Sequence, residues 1–183
     1  MTGGISHWDA VQARAFAKGE LRGSRRRLGP AMGAERAGLS RYEAAPGERP
    51  MPLHTHADEE EILFVVRGSG ITTDGERSWA IAAGDTVAHP AGGPPHTYVA
   101  GDGSLDVLVF ATGSDTRLTW LPRAGTMWAG SRWVPLDGPH PFEAEAAAGP
   151  LDPGPLQDEP AANIVSLAAA PLIERTFSDE AAA

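Results

Sequence analysis

The sequence contains no cysteine. This absence excludes disulfide bridges, thiolate metal ligands and a cysteine nucleophile, so any bound metal must be held by histidine and carboxylate side chains. Positive charge is also scarce, because 15 Lys and Arg residues stand against 24 Asp and Glu residues and leave a net charge of −9. Such an acidic chain repels phosphate backbones, which disfavours nucleic acid as a partner.

Long apolar runs are missing as well. No run approaches the roughly 18–20 residues that a membrane-spanning helix needs. The first ten residues, MTGGISHWDA, also lack the basic and then apolar pattern of a signal peptide. We therefore expect a cytoplasmic protein without a membrane partner, and at 183 residues the chain is long enough for one domain with a proper core.

Turn-forming residues are plentiful, with 22 Gly and 16 Pro. Segments of four to eight residues, bounded by Gly, Pro or Asp, recur between about residues 34 and 112 without a helical period. Residues 61–67, EILFVVR, have the β-branched and aromatic content of a strong strand, and Asp74-Gly75 has the pattern of a two-residue hairpin turn. These features predict an all-β sandwich or barrel.

The two flanks differ from this core. Residues 6–18 have the pattern of a short amphipathic helix that Ser6 caps and Gly19 ends. Residues 1–33 are therefore predicted to be a helix and a lead-in strand packed on a barrel core of residues 34–112. Residues 113–183 are Pro-rich and contain three of the five tryptophans, and we interpret them as an extended segment that covers the barrel or a partner subunit.

Four side chains are candidate metal ligands. His54 and His56 alternate in a predicted strand and so share one face, because side chains in a strand repeat every two residues. Glu61 opens the next strong strand and lies near this pair if the two strands run antiparallel. His96 follows a Gly- and Pro-rich turn and is the fourth candidate. Imidazole and carboxylate groups that converge in this way are good ligands for Fe, Mn, Ni, Cu or Zn.

Two motifs support this interpretation. Residues 47–68 resemble the first signature motif of the cupins: Gly47, six residues, His54-Thr55-His56, four residues, Glu61, six residues and Gly68. Residues 84–96 resemble the second motif, although His96 comes one residue later than the usual spacing. The resemblance implies a cupin-type double-stranded β-helix, or jelly-roll barrel, that holds one divalent transition metal through His54, His56, Glu61 and His96.

The choice of carboxylate depends on the first motif. Glu60 fits a shorter spacing from His56, but Glu61 keeps the six-residue distance to Gly68 and is preferred. Residues 58–60 are then predicted to form a solvated acidic loop near the mouth of the site.

Further residues are predicted around the ligands. His89 either supports a ligand from behind or is a partly exposed strand histidine. The barrel interior supplies an apolar wall, which we expect to include Leu63, Val65, Trp79 and Tyr98. The resemblance also implies a homodimer, for which the Trp-rich extension is a plausible cover.

The expected chemistry follows from the ligand set. Four protein ligands leave one or two positions on the metal for substrate, water or dioxygen. A divalent ion with three neutral imidazoles and one carboxylate keeps a net charge of about +1 and favours an anionic oxygen ligand. The leading hypothesis is a mononuclear metalloenzyme of dioxygenase type that acts on a small oxygen-chelating substrate, with Glu61 as a base. The alternatives are a metal-dependent isomerase or lyase and a non-catalytic cupin that binds a small molecule or a metal.

Overall fold

The computed structural model describes residues 4–113, 117–130, 132–134, 139–156 and 164–166. Two short helices, α1 (Leu28–Ala31) and α2 (Pro141–Ala147), accompany a much larger set of strands. In chain order the strands are β1 (Arg14–Lys18), β2 (Leu21–Arg27), β3 (Ala37–Ala44), β4 (Thr55–His56), β5 (Glu61–Thr73), β6 (Ser78–Ala82), β7 (Asp85–His89), β8 (Thr97–Thr112), β9 (Leu118–Leu121), β10 (Thr126–Ala129), β11 (Arg132–Val134) and β12 (Ile164–Ser166).

The strands form two sheets. The eight-stranded sheet has the order β1-β2-β3-β8-β5-β7-β12, with β6 paired to β5 beside this path, and the four-stranded sheet has the order β11-β10-β9-β4. The all-β jelly-roll fold predicted from the sequence is therefore confirmed, although the ladders among the described residues do not close into a barrel. His56 lies in the smaller sheet and Glu61 in the larger one, so two of the predicted ligands lie where the sheets meet.

The two longest strands, β5 and β8, organise the larger sheet. They pair antiparallel, and their register shifts between Val65 and Arg67 and again between Gly68 and Gly70. Such bulges bend a strand, and β5 accordingly pairs with β7 before the shifts and with β6 after them. Gly68 has a φ of 86°, and a Cβ atom there would lie 1.7 Å from the carbonyl oxygen of Ser104. Only glycine fits this corner.

The core is built from inward-facing apolar side chains. Along β5 burial alternates, so that Glu61, Leu63 and Val65 are buried while Ile62 and Phe64 are more exposed. This inner row confirms the side-chain alternation expected for the strand. Each fully buried aliphatic side chain contributes about 1.5–3 kcal/mol. The buried cluster comprises Tyr42, Ala44, Leu63, Val65, Ile81, Val87, Tyr98, Ala100, Leu105, Val107 and Val109.

The helix predicted over residues 6–18 is wrong. A single 3-10 turn, Trp8–Ala10, precedes β1, which pairs antiparallel with β2 through a turn at Gly19 with a φ of 58°. Phe16 is the most shielded side chain of β1 and packs edge-on against Phe142, with ring centroids 6.1 Å apart. An amphipathic helix gains its stability from a buried apolar face. No residue of the turn or of β1 is buried in the structure, and pairing with β2 satisfies the backbone groups of β1 instead.

A buried network of charges attaches α2 to the rest of the fold. Arg49 is 1% exposed, and its Nη1 atom donates to the Oε1 atom of Glu145, which is 0% exposed, at 3.0 Å. The Nη2 atom of Arg49 donates to Oε1 of Glu20 at 2.5 Å, and Nη1 of Arg123 lies 3.4 Å from Oε1 of Glu145. This clamp fixes the helix against the segment that leads to His54.

The predicted extension over residues 113–183 is described only in part. It contributes β9, β10 and β11 to the smaller sheet, and β12 pairs with β7 at the edge of the larger one. The helix α2 has seven residues and α1 has four, and neither approaches the length needed to cross a membrane. Residues 157–163 and 167–183 lie outside the described residues.

Candidate metal centre

Four predicted ligands converge between the two sheets. The backbone groups of His54 and His96 bond to each other in an isolated antiparallel bridge, which places the two residues side by side. His56 ends β4, and Glu61 begins β5. One potential ligand atom from each of the four residues lies within 4.8 Å of all the others. Strand alternation and one bridge are therefore sufficient to gather three imidazoles and one carboxylate at a single point.

Glu61 lies at the centre of this group. Its Oε2 atom is 3.4 Å from Nε2 of His56 and 4.0 Å from Nε2 of His54, and its Oε1 atom is 3.7 Å from Nε2 of His96. Burial alone would raise the pKa of the Glu61 carboxyl, but the three histidines outweigh burial and hold that pKa well below its ordinary value. The carboxylate is therefore charged at neutral pH.

The other ring nitrogen of each histidine is held in place. Nδ1 of His54 lies 2.8 Å from the carbonyl oxygen of Pro52, and Nδ1 of His96 lies 3.3 Å from that of Pro94. Nδ1 of His56 lies 3.0 Å from Oγ1 of Thr119. A carbonyl can only accept, so Nδ1 of His54 and His96 carries the proton and the lone pair is left on Nε2.

The three Nε2 atoms test whether a metal fits this site. All three are buried, and none has a hydrogen-bond partner among the residues that the structure describes. Buried polar atoms in folded proteins are nearly always paired. Three buried imidazole nitrogens gathered around one carboxylate form a donor set that suits a metal ion and that a purely structural cluster would avoid. The donor set therefore fits a single divalent transition metal.

Protons and a metal compete for the same nitrogen atoms. Burial would lower the pKa of His56, but the nearby carboxylates of Glu59 and Glu61 raise it to about 9. Burial lowers the pKa of His96. Metal ligands bind only in their deprotonated form, so a metal bound here releases the proton of His56.

His89 lies directly behind His96, one of the candidate ligands. The two rings are stacked, with centroids 3.7 Å apart and an angle of 2° between their planes. His89 is buried and pairs across the strands with Glu61. Burial and the neighbouring His96 lower the pKa of His89 to about 3, so the ring is neutral at pH 7. His89 is therefore a buried residue stacked on a candidate ligand and not a partly exposed strand histidine.

The four residues predicted to form the apolar wall are all buried, but they lie in different surroundings. Leu63 and Val65 belong to the apolar cluster that continues inward from Glu61. Tyr98 is 2% exposed, and its hydroxyl has no hydrogen-bond partner within the described part of the chain. Burial, with Tyr42 and Glu61 nearby, raises the pKa of Tyr98 well above its ordinary value, so the hydroxyl remains a proton donor. Trp79 lies farther along β6, where the guanidinium of Arg77 covers its ring at 5.3 Å.

The acidic loop before β5 is not wholly solvated as predicted. Asp58 and Glu60 are exposed, but Glu59 is 7% exposed. Its Oε2 atom lies 3.2 Å from Nδ1 of His56. Glu61 is the carboxylate that joins the histidines. Three consecutive glutamates carry no sequence signal that separates the exposed one from the two that turn inward.

A row of paired residues extends the site along the smaller sheet. His56 pairs with Thr119, Thr119 with Trp128, and Trp128 with Trp133. Directly paired residues have their side chains on the same face of a sheet. The two indole rings meet edge to face at 5.0 Å and are partly buried. Sequence reasoning placed these tryptophans in a cover, but it could not place them on the face of the ligand His56.

A family profile described as Cupin domain matches residues 40–111. A search of curated protein sequences found no match.

Several solved structures are similar. A candidate sugar phosphate isomerase from Acidithiobacillus ferrooxidans ATCC 23270 is 22% identical, with a TM-score of 0.60 over 68% of this chain and 84% of that one. A sugar phosphate isomerase from Silicibacter pomeroyi DSS-3 is 26% identical, with a TM-score of 0.61 over 71% and 91% of the two chains. A deletion mutant of Bacillus subtilis oxalate decarboxylase is 22% identical, with a TM-score of 0.50 over 67% and 34%. All three share the fold described above.

Proposed function

From the premise that this chain belongs to the cupin superfamily, we propose that it is a metal-dependent isomerase or lyase. The substrate is a small molecule that chelates the metal through oxygen. The observation that carries this proposal is the set of three buried, unpaired Nε2 atoms around the Glu61 carboxylate. His54, His56, Glu61 and His96 would hold one divalent ion of Fe, Mn, Ni, Cu or Zn.

The similar structures favour the isomerase over the oxygenase that the sequence motifs suggested first. The structure that is 26% identical to this chain and covers 71% of it is described as a sugar phosphate isomerase. The match supports proton-transfer chemistry and offers no support for dioxygen chemistry. An aldose–ketose isomerisation is also complete within the substrate. One proton moves between neighbouring carbons and one moves from a hydroxyl to a carbonyl oxygen, so neither oxidant nor reductant is needed.

The residues of this chain divide the work as follows. A divalent ion bound by the four ligands would supply a Lewis acid that polarises a substrate carbonyl. Glu61, a charged carboxylate at the centre of the site, would take the proton from the neighbouring carbon at one of its oxygen atoms. The buried, unpaired hydroxyl of Tyr98 would donate a hydrogen bond to a substrate oxygen. The stacked ring of His89 would hold His96 in its plane, while Leu63 and Val65 exclude water.

Isotope exchange tests this function. We expect the metal-loaded protein, incubated with aldose or ketose phosphates in D₂O, to interconvert them and to incorporate deuterium at the carbon beside the carbonyl, as measured by NMR. A Glu61→Gln variant should lose about 10²–10⁴-fold in rate, the usual contribution of a general base. Metal content is measured in parallel, because Glu61 is also a proposed ligand.

A measurement of oxygen consumption could contradict the proposed isomerase. Uptake of dioxygen by the iron-loaded protein with catechols, flavonols or β-diketones, together with no exchange in any sugar phosphate, would contradict the isomerase and restore the oxygenase.

We also propose that the protein is a homodimer. The outer face of the smaller sheet supports this proposal, because it exposes Leu118, Trp120 and Val134, whose exposed fractions are 36%, 51% and 44%. Exposed apolar patches commonly mark protein interfaces. Light scattering should give twice the chain mass of 19.1 kDa, and a Trp120→Ser variant should shift the protein toward the monomer. A wild-type protein that remains a monomer at high concentration would contradict the proposal.

A further inference from the structure

We infer that Glu59 is a positioning residue of the metal centre, one that orients His56 and selects an uncharged substrate end at the metal. The inference rests on the proposed function, because it concerns a site that holds a metal. Glu59 lies outside the ligand set and precedes β5 by two residues. Its role follows from its burial, its contact with His56 and its charge.

The position of Glu59 is specific. Its carboxylate is 9% exposed, and Oε2 lies 3.2 Å from Nδ1 of His56, on the far side of the ring from the Nε2 atom that faces Glu61. Oε1 of Glu59 lies 3.8 Å from Nε of Arg117. The neighbouring Glu60 is exposed. A buried carboxylate is costly unless a neighbouring group compensates its charge. Here that group is the Nδ1 side of the His56 ring.

This contact distinguishes His56 from the other two histidines. Nδ1 of His54 and Nδ1 of His96 each face a neutral backbone carbonyl oxygen. Among the described residues, His56 alone of the three has a carboxylate behind it, 3.2 Å from Nδ1 and beside the Thr119 hydroxyl at 3.0 Å. Hydrogen bonds to an ionised group are roughly twice as strong as neutral ones, so Glu59 is the stronger acceptor. A carboxylate that accepts the Nδ1 proton fixes the tautomer and makes Nε2 more basic. His56 is therefore the strongest nitrogen donor of the three.

The charge of Glu59 changes the electrostatic balance of the site. A divalent ion with Glu61 and three neutral imidazoles has a net charge of about +1. Glu59 adds one negative charge that is buried only an imidazole ring away, which brings the sum close to zero. Arg117 offsets this only weakly, because its side chain is 43% exposed and is screened by water.

A nearly neutral centre changes the expected substrate. The sequence alone suggested a centre of about +1 that favours an anionic ligand. With the charge of Glu59 included, the metal centre is better matched by a substrate end with neutral oxygens, such as a carbonyl beside a hydroxyl, than by a carboxylate. This is the end of a sugar-type hydroxycarbonyl compound, and any phosphate group would lie away from the metal.

A Glu59→Gln variant tests both parts of the inference, with Co²⁺ as the metal probe and azide as the anion probe. Positioning predicts about 10–100-fold weaker Co²⁺ binding, measured by competition with a chelator. The charge argument predicts the opposite change for the anion: azide binds to the Co²⁺-loaded variant roughly tenfold more tightly than to the wild type. The visible spectrum of Co²⁺ reports both events.

The matched control is Glu60→Gln, which makes the same change in charge at an exposed position next in sequence. It should leave both affinities within about twofold of the wild type, because exposed charges are screened. Unchanged Co²⁺ affinity in Glu59→Gln would overturn the positioning role. Weaker Co²⁺ binding without tighter azide binding would overturn the charge argument. A wild-type protein that binds no Co²⁺ would overturn the proposed function together with this inference.

Discussion

We expect a His96→Ala variant to bind metal with more than about a hundredfold lower affinity than the wild type. Loss of a residue that only supports a ligand typically lowers metal affinity 10–100-fold, and loss of a ligand itself should lower it further. His96 is 3% exposed, and its Nε2 atom lies 3.7 Å from Oε1 of Glu61. Alanine removes one of three nitrogen donors and opens one wall of the site. Elemental analysis of the purified variant and competition with a chelator measure the effect.

Thermal unfolding gives a second measurement of the same loss. A ligand that binds only the folded state, present at a hundred times its dissociation constant, stabilises that state by about 2.7 kcal/mol. Metal should therefore raise the melting temperature of the wild type and leave that of His96→Ala nearly unchanged. His7→Ala is the control, because the His7 side chain is 73% exposed. A His96→Ala protein with wild-type metal content and affinity would show that His96 is not a ligand.

A Glu145→Ala variant is expected to lose about 3–5 kcal/mol of unfolding free energy, the usual cost of removing one partner from a buried ion pair. The Glu145 side chain is 0% exposed. It accepts a hydrogen bond from the Arg49 side chain, which is 1% exposed. Alanine leaves Arg49 and Arg123 facing each other with only Glu20 between them. Urea unfolding at pH 7 measures the change.

Two further variants separate charge from packing. Glu143→Ala removes an exposed pair with Lys18 from the same helix and should unfold like the wild type. Replacing both Arg49 with Met and Glu145 with Leu should recover most of the loss, because an apolar pair needs no compensating charge. If Glu145→Ala unfolds at the same urea concentration as Glu143→Ala, the clamp contributes no stability.

The cluster of four candidate ligands could be predicted from the sequence because its geometry is local. A period of two places His54 and His56 on one face whatever the rest of the fold does. The spacing from Glu61 to Gly68 likewise selected the carboxylate that the structure brings to the histidines. The strands of the core follow from β-branched and aromatic segments between turn residues for the same reason.

The errors arose where distant contacts decide the outcome. Residues 6–18 have a helical pattern, but the partner that determines their structure is β2. Glu59 looks like its neighbours, and its burial depends on His56 and Arg117, which the folded loops bring together. The reaction class was also beyond the sequence, because the same ligands serve oxygenases and isomerases alike.

The carbonyl groups behind two of the ligand rings have a consequence for the entropy of metal binding. Pro52 stands two residues before His54, and Pro94 stands two residues before His96, and each accepts from the ring that follows it. Proline fixes its own φ, which leaves ψ as the one backbone rotation that turns each carbonyl, and the contact with the ring already occupies that carbonyl before a metal arrives. The two rings therefore lose little rotational freedom on binding. If the site binds a metal as proposed, we expect its affinity to reflect the donor atoms more than the cost of ordering them.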